Sequence, residues 1–179
     1  MTTIHPATKP LTVKRTSLPG VLVMTPPTIF KDHRGVYVEL YNERLYRQTG
    51  VRATFVQDDI SVSRRGVLRG IHGDLKTWKL VTCLLGEIYL VVVDCRKGSP
   101  RFGTWQDFTL SERNRLQVLV PPAHGLGHLV LSKRAIFHYK QSTYYNRAGQ
   151  FTYRWDDPRF NITWPIQRPI LSMRDRKGA

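Results

Sequence analysis

His72, Lys79, the pair Tyr144 and Tyr145, and Asp175 are the residues of this chain whose types could together move a proton on and off carbon. An imidazole titrates near pH 6.5, so it is free to accept a proton under ordinary conditions. A phenol, titrating near 10, stays a proton donor. A lysine ammonium stabilises a developing oxyanion, and a carboxylate fixes the tautomer of the histidine beside it. That set is a base, an enolate stabiliser and an acid for chemistry next to a carbonyl. His72 and Lys79 fall in GVLRGIHGDLKTWKL, residues 66 to 80, framed by glycines and leading into the apolar run LVTCLL. No acidic residue adjoins Lys79 in sequence, so its stem is expected to pack while its ammonium seeks an acceptor. A lone histidine among apolar neighbours is more often a hydrogen-bonded structural residue, and His72 carries the catalytic reading only in company with the others.

Such groups need strands to hold them. Most of the chain reads as short β-rich runs between Gly and Pro turns: GVLVMTPPTIF, GVYVELY, ATFVQDDISVS, KLVTCLLGEIYLVVVDC, RLQVLVPP, HLVLS and AIFHYKQSTYY. Only residues 42 to 50, NERLYRQTG, read as a helix. The pattern predicts an all-β fold, a sandwich or jelly-roll barrel with a few short helices closing around a pocket. Within it, the long apolar stretch is predicted to be two adjacent strands turned at Gly86 and Glu87. Side chains enter a barrel mouth at period two, so His72 and Lys79 can face a cavity while their neighbours pack. Residues 1–17, with Pro6, Pro10 and several threonines, read as a loosely held arm, and residues 18–179 as one domain.

With 179 residues the chain can bury a core without disulfides or structural metal. Cys83 and Cys95 sit in apolar runs without CxxC spacing and read as small buried hydrophobes, which suits a reducing cytoplasm. No secretory h-region and no bilayer-length apolar stretch is present, so membrane insertion is not expected. The balance of 28 basic against 13 acidic residues, a formal +15, asks for an anionic partner. The cations are scattered and come with no zinc-finger spacing, basic helix or ribonucleoprotein motif, so a phosphate-bearing small molecule is expected rather than nucleic acid.

Several long stretches resemble one family. FKDHRGVYVEL (30 to 40), FVQDDISVSRRGVLRGIH (55 to 72), KLVTCLLGEIYLVVVDCRKGSPRFGTW (79 to 105), YKQSTYY (139 to 145), WDDP (155 to 158), and ITWP followed by LSMRD (162 to 175) are similar, in this order, to the dTDP-4-dehydrorhamnose 3,5-epimerases and related nucleotide-sugar 3,5- and 3-epimerases. The resemblance implies a cupin-type jelly roll, no cofactor and no metal, a nucleotide-diphosphate sugar as substrate, and a homodimer whose N-terminal part serves the neighbour's site. It puts the general base at His72, its carboxylate partner at Asp175, the enolate-stabilising cation at Lys79, and the general acid at Tyr145, with Tyr144 as rival. Arg69 would contact diphosphate or sugar, and Arg34 and Glu39 would hold the nucleotide end. Gln57 and Asp59, from FVQDD, and Asp74 and His128 complete the expected substrate contacts.

The chain departs from the family pattern at three places. Asp74 stands where typical members carry glutamine two residues after the histidine, Asp59 replaces the asparagine of FVQDN, and Leu126 occupies a second histidine's place, with histidines at 124 and 128 instead. The GIHGD form resembles epimerases of GDP-linked 4-keto-6-deoxyheptose-type sugars in capsule or surface-polysaccharide pathways. A GDP-linked hexose or heptose is therefore the expected substrate, epimerised at carbon 3, carbon 5 or both; the dTDP-4-dehydrorhamnose 3,5-epimerase proper is the alternative. Outside that class stand a metal-dependent cupin using His72, Asp74 and His128, a 3,4-ketoisomerase, and a non-catalytic sugar-nucleotide binding module. His5, His33, His124 and His138 read as solvated or core histidines, and Trp78 as either a stacking platform or a plug.

Overall fold

A computed structural model describes residues 10–178. The chain runs through β1 (Thr12–Arg15), β2 (Leu22–Thr25), β3 (Thr28–Asp32), β4 (Gly35–Val38), α1 (Glu43–Gln48), β5 (Gln57–Arg64), β6 (Leu68–Asp74), β7 (Lys79–Leu85), β8 (Glu87–Asp94), β9 (Trp105–Ser111), β10 (Gln117–Val120), β11 (His124–Val130), β12 (Arg134–Gln141), β13 (Gln150–Thr152) and α2 (Met173–Lys177). Two antiparallel sheets, ordered β1-β2-β10-β7-β12-β5 and β13-β6-β11-β8-β9, face one another, and β3 and β4 form a separate hairpin. This is the jelly roll that the strand spacing predicts.

Each long apolar run is buried on both faces, which is why it lacks a polar alternation. Along β8, Ile88, Leu90 and Val92 enter the core between the sheets, together with Val81, Leu110 and Val118. Val91 and Val93 point the other way, onto a cluster capped by Phe160 and Trp164 of the C-terminal segment. On the outer face of the six-stranded sheet, Leu80 and Leu119 pack against Tyr46 of α1. That helix starts where Asn42 Oδ1 accepts the Leu45 N–H.

Four features differ from the sequence reading. The residues on either side of Gly86 do not form a hairpin: β7 lies in the six-stranded sheet and β8 in the five-stranded one, so the chain arches between layers. Gly86 makes the arch with φ +76°, and a Cβ there would collide with the Arg134 carbonyl and the Ser132 hydroxyl. Residues 68–74 form a strand themselves rather than a lead-in to one. β9, with only Phe108, Leu110 and Ser111 fully buried, carries too weak a pattern to read. Finally, β1 lies on the arm side of Leu18 yet pairs with β2 over four residues. The first nine residues of the arm, His5 included, lie outside the described residues.

Candidate active site

A cavity of about 470 Å³ opens between the two sheets. Its chemistry depends on an irregularity in β6. In a regular strand Arg69 and His72, three residues apart, would face opposite sides of the sheet. Pairing with β11 matches Leu126 to His72 but His128 to Arg69, so β6 spends one residue more than its partner between the two pairs. That bulge turns both side chains into the cavity. Gly70 sits in it with φ +115°, and a Cβ there would strike the Leu126 carbonyl and the Gly127 Cα. Only glycine fits.

The bulge also frees a donor. The Gly70 N–H reaches Asp175 Oδ1 at 3.2 Å, and the same oxygen lies 2.7 Å from His72 Nε2. Asp175 is 3% exposed, and its other oxygen accepts from the Ser172 hydroxyl at 2.6 Å. Burial alone would raise its pKa, but the contacts with His72, Ser172 and the Gly70 amide outweigh it, and the carboxyl is held below its ordinary range. His72 Nε2 approaches the carboxylate closely but off the hydrogen-bonding direction. Nδ1 is the ring nitrogen left to take a proton.

Facing β6 from the other sheet stand Lys79, at the head of β7, and Tyr145, in the loop after β12. Lys79 is 9% exposed and has no carboxylate within ion-pair distance among the described residues. Burial lowers its pKa below the usual lysine range; Asp74 and Asp59 pull it back in part, and Arg174 pushes it further down. Tyr145 is half exposed, and its backbone N–H donates to Gln57 Oε1 at 2.8 Å. Tyr144 lines an adjoining hollow and not this cavity.

Arg69, Gln57, Asp59 and His128 also line the cavity. Asp59 Oδ2 accepts from Gln57 at 2.7 Å and from Gln141 at 2.9 Å. Leu126 and His128, two residues apart on β11, share the inward face, so the chain's imidazole stands one inward position beyond the place where the family pattern has it. His128 is buried, stacks on Phe137 at 4.1 Å, and is held neutral by desolvation and by the nearby Arg69 and His72, its pKa pushed down to about 3.

Three expected contacts lie elsewhere. Asp74 accepts the backbone N–H groups of Lys76 and Thr77, which closes the turn after β6. Arg34 is exposed on the β3–β4 hairpin, paired with Asp32 at 2.6 Å, and Glu39 accepts from Asn42 at 3.1 Å. Neither lines the cavity of its own chain. Conversely, the sequence reading passed over Ser61, Tyr139, Gln141, Ser172 and Arg174, all of which do. A signal existed for Ser61: β5 places Gln57, Asp59, Ser61 and Ser63 at period two, with Ile60 and Val62 on the opposite face. Arg174 gave none; it ties α2 to β13 through Thr152 Oγ1 at 2.6 Å and Gln150 Oε1 at 3.1 Å. The described residues hold no cluster of three or more His, Cys, Asp or Glu side chains set to hold a metal ion, and Asp74, the ligand the metal reading needs, is engaged by the turn.

A half-buried imidazole on β6, held by a buried carboxylate of α2, faces a desolvated lysine at the head of β7 and a phenol in the loop after β12, and this set defines a jelly-roll acid–base enzyme. Residues 15–179 match the family model described as dTDP-4-dehydrorhamnose 3,5-epimerase, and the chain belongs to that family of nucleotide-sugar epimerases. It is 40% identical over 172 residues to the dTDP-4-dehydrorhamnose 3,5-epimerase of Shigella flexneri, covering 94% of each chain. It is 37% identical over 161 residues to the dTDP-4-dehydrorhamnose 3-epimerase of Streptomyces niveus, covering 88% of this chain and 77% of that one. The crystal structure of the dTDP-6-deoxy-D-glucose-3,5-epimerase of Legionella pneumophila Philadelphia 1, in complex with dTDP-4-keto-L-rhamnose, superposes with a TM-score of 0.87 at 36% identity, covering 92% of this chain and 89% of that one. The GDP-linked sugar expected from the GIHGD form finds no support among relatives named for dTDP-linked sugars; the alternative, dTDP-linked reading fits better.

Proposed function

We propose that this protein epimerises carbons 3 and 5 of a dTDP-linked 4-keto-6-deoxyhexose. The carrying observation is the pair of half-buried His72 and buried Asp175, 2.7 Å apart, in the cavity wall opposite Lys79 and Tyr145. A keto group at carbon 4 acidifies the hydrogens at carbons 3 and 5. His72 takes one of them, becoming an imidazolium that Asp175 stabilises, and the electron pair moves onto the carbon 4 oxygen near the Lys79 ammonium. Tyr145 then donates its phenolic proton to the other face of the enolate, the negative charge returns from oxygen to carbon, and the configuration is inverted. His72 and Tyr145 regain their starting protonation states through solvent before the second centre reacts. The base stands on β6 and the acid in the loop after β12, a strand of the opposite sheet, which is the arrangement that attack on opposite faces of one ring requires.

In the same reading, Arg69 and Gln57 bind the sugar and its diphosphate, and Asp59 holds Gln57. The protein acts as a homodimer in which the β3–β4 hairpin brings Arg34 and Glu39 to the neighbour's nucleotide. Its compartment is the cytoplasm, in keeping with Cys83 and Cys95, both free and buried. Among the described residues, no helix is long and apolar enough to cross a membrane.

The test is turnover of dTDP-4-keto-6-deoxyglucose in deuterated water, followed by mass and proton spectra. Two deuterium atoms entering the ring support the reading, and one restricts the reaction to a single centre. The His72→Asn variant is expected to lose about 10²- to 10⁴-fold in kcat, the range for general acid–base groups. Wild-type turnover in that variant would sink the assignment of the base.

A further inference from the structure

The cavity lining holds two polar atoms, one from each sheet, that the proton-transfer chemistry does not use. Ser61 Oγ and His128 Nε2 are both buried without a hydrogen-bond partner among the described residues, and both side chains line the cavity. They are neighbours by register. Ser61 pairs across the β5–β12 ladder with Phe137, and Phe137 carries the His128 ring in a stack at 4.1 Å, 23° from parallel. On the other side His128 pairs with Arg69, whose Nε and Nη2 donate to Ser63 Oγ at 3.2 Å. Ser63 is thereby satisfied and Ser61 is not. Leaving a buried polar group unpaired is costly, so two such groups that meet around Phe137 from opposite sheets point to a ligand atom that pairs with them.

The chemistry of the pair selects that atom. A phosphate or carboxylate calls for cations, and His128, stacked on Phe137 beside Arg69 and 6% exposed, stays neutral. A neutral imidazole offers one donor or one acceptor, and a serine hydroxyl offers both. Their complement is a neutral group that donates and accepts at once, which is a hydroxyl. A carbonyl oxygen satisfies donors only, and a methyl group satisfies neither.

We propose that Ser61 and His128 bind one hydroxyl of the substrate's sugar ring and select for sugars that carry it. The proposal rests on the nucleotide-sugar reading above. On a 4-keto-6-deoxyhexose attached to diphosphate at carbon 1, hydroxyls remain at carbons 2 and 3, and the two positions are told apart by deoxygenation. Selection would be steep, because a sugar lacking the hydroxyl leaves both protein groups unpaired in its complex.

The experiment compares wild type, His128→Phe and Ser61→Ala on the parent dTDP-4-keto-6-deoxyglucose and on its 2-deoxy and 3-deoxy analogues. Exchange of ring hydrogens gives kcat/KM, and calorimetry gives binding. The phenylalanine keeps the ring stacked on Phe137, and circular dichroism checks that both variants fold. With the parent, each variant is expected to lose about tenfold in kcat/KM, the value of one hydrogen bond in a desolvated site. Wild type should lose at least as much on one of the two deoxy analogues. On that analogue the variants should match wild type within about twofold, because the partner of the deleted group is already gone. Variants equally impaired on all three sugars, or a wild type indifferent to both deoxygenations, overturn the proposal and leave the epimerase reading standing. A wild type that neither binds nor turns over the parent overturns the epimerase reading, and this proposal with it. A variant that fails to fold is replaced by His128→Leu or Ser61→Gly under the same criteria.

Discussion

At the scale of single residues, the site keeps a base and a cation at work in one cavity by giving them different surroundings. His72 is tied to a carboxylate that hydrogen bonds hold ionised, while Lys79 has no close carboxylate and is desolvated. The second fact fixes the alkaline limit of activity. Burial lowers the Lys79 pKa, so the ammonium that must face the enolate is fully present at low pH and is lost as pH rises through a value below the ordinary lysine range. The kcat profile is therefore expected to fall on its alkaline side below pH 10.5. Lys79→Arg, whose guanidinium stays charged, should remove that limb while lowering kcat, because a planar fork does not replace a point charge. An alkaline limb unchanged in the arginine variant would assign it to another group. Of the four catalytic candidates, His72 and Lys79 stand together in one short stretch, and His72 reads as catalytic only in company with the others. Asp175 entered that company by residue type alone: it is 105 positions from the Gly70 amide it accepts, and the family resemblance is what paired it with His72 by position. The choice of Tyr145 over Tyr144 came from the family resemblance, because two adjacent residues in a loop carry no periodicity that says which one turns inward; Tyr145 lines the cavity and Tyr144 only the adjoining hollow.

At the scale of elements, the strands were legible wherever burial on two faces writes a long apolar run, as in β7 and β8. The arch at Gly86 was not, since a glycine between two apolar runs signals a turn equally well within a sheet and between sheets. The bulge in β6 was equally hidden. GVLRGIHGD reads as a glycine-rich lead-in, yet its glycines are there for close packing: Gly70 meets the β11 backbone, and Gly73 meets Phe151 and the His124 carbonyl. This makes β6 the element whose geometry most directly sets function, because the one extra residue is what puts Arg69 and His72 on the same side. Gly70→Ala would place a Cβ against the Leu126 carbonyl at a φ of +115° that alanine rarely adopts. The variant is expected to lose well over about 1 kcal/mol of stability in denaturant unfolding, the scale for alanine at an incompatible φ with a clash added. What folded protein remains should have lost kcat, because relieving the clash shifts His72 away from Asp175. Unchanged stability and kcat would show that β6 can carry its bulge without this glycine.

At the scale of the whole molecule, two features are left over from the single chain, and the proposed second chain would account for one of them. The formal +15 charge exceeds what one diphosphate needs; it suits electrostatic steering of an anionic substrate, and nothing in the fold explains its full size. The β3–β4 hairpin is the other. Among the described residues it pairs with no further strand, it exposes Phe30, Val36 and Tyr37, and it carries Arg34 away from its own cavity. The outer face of β5, at the end of the six-stranded sheet, likewise exposes Ile60 and Val62. An exposed edge with apolar flanks is a place where chains associate. If the hairpin serves a neighbour, Arg34 and His72 of one chain belong to different sites, and that can be tested by mixing. Arg34→Ala and His72→Asn are each expected to be impaired alone. When the two are unfolded and refolded together in equal amounts, half of the dimers pair one chain of each kind, and each such dimer has one site with an intact His72 and an intact Arg34 from the other chain. About a quarter of all sites is then restored, and activity should rise to about a quarter of wild type. Activity equal to the mean of the two variants would place Arg34 in its own chain's site, and full activity in Arg34→Ala alone would remove it from the substrate altogether. A protein that sediments as a monomer while turning over at the wild-type rate would remove the second chain from the mechanism.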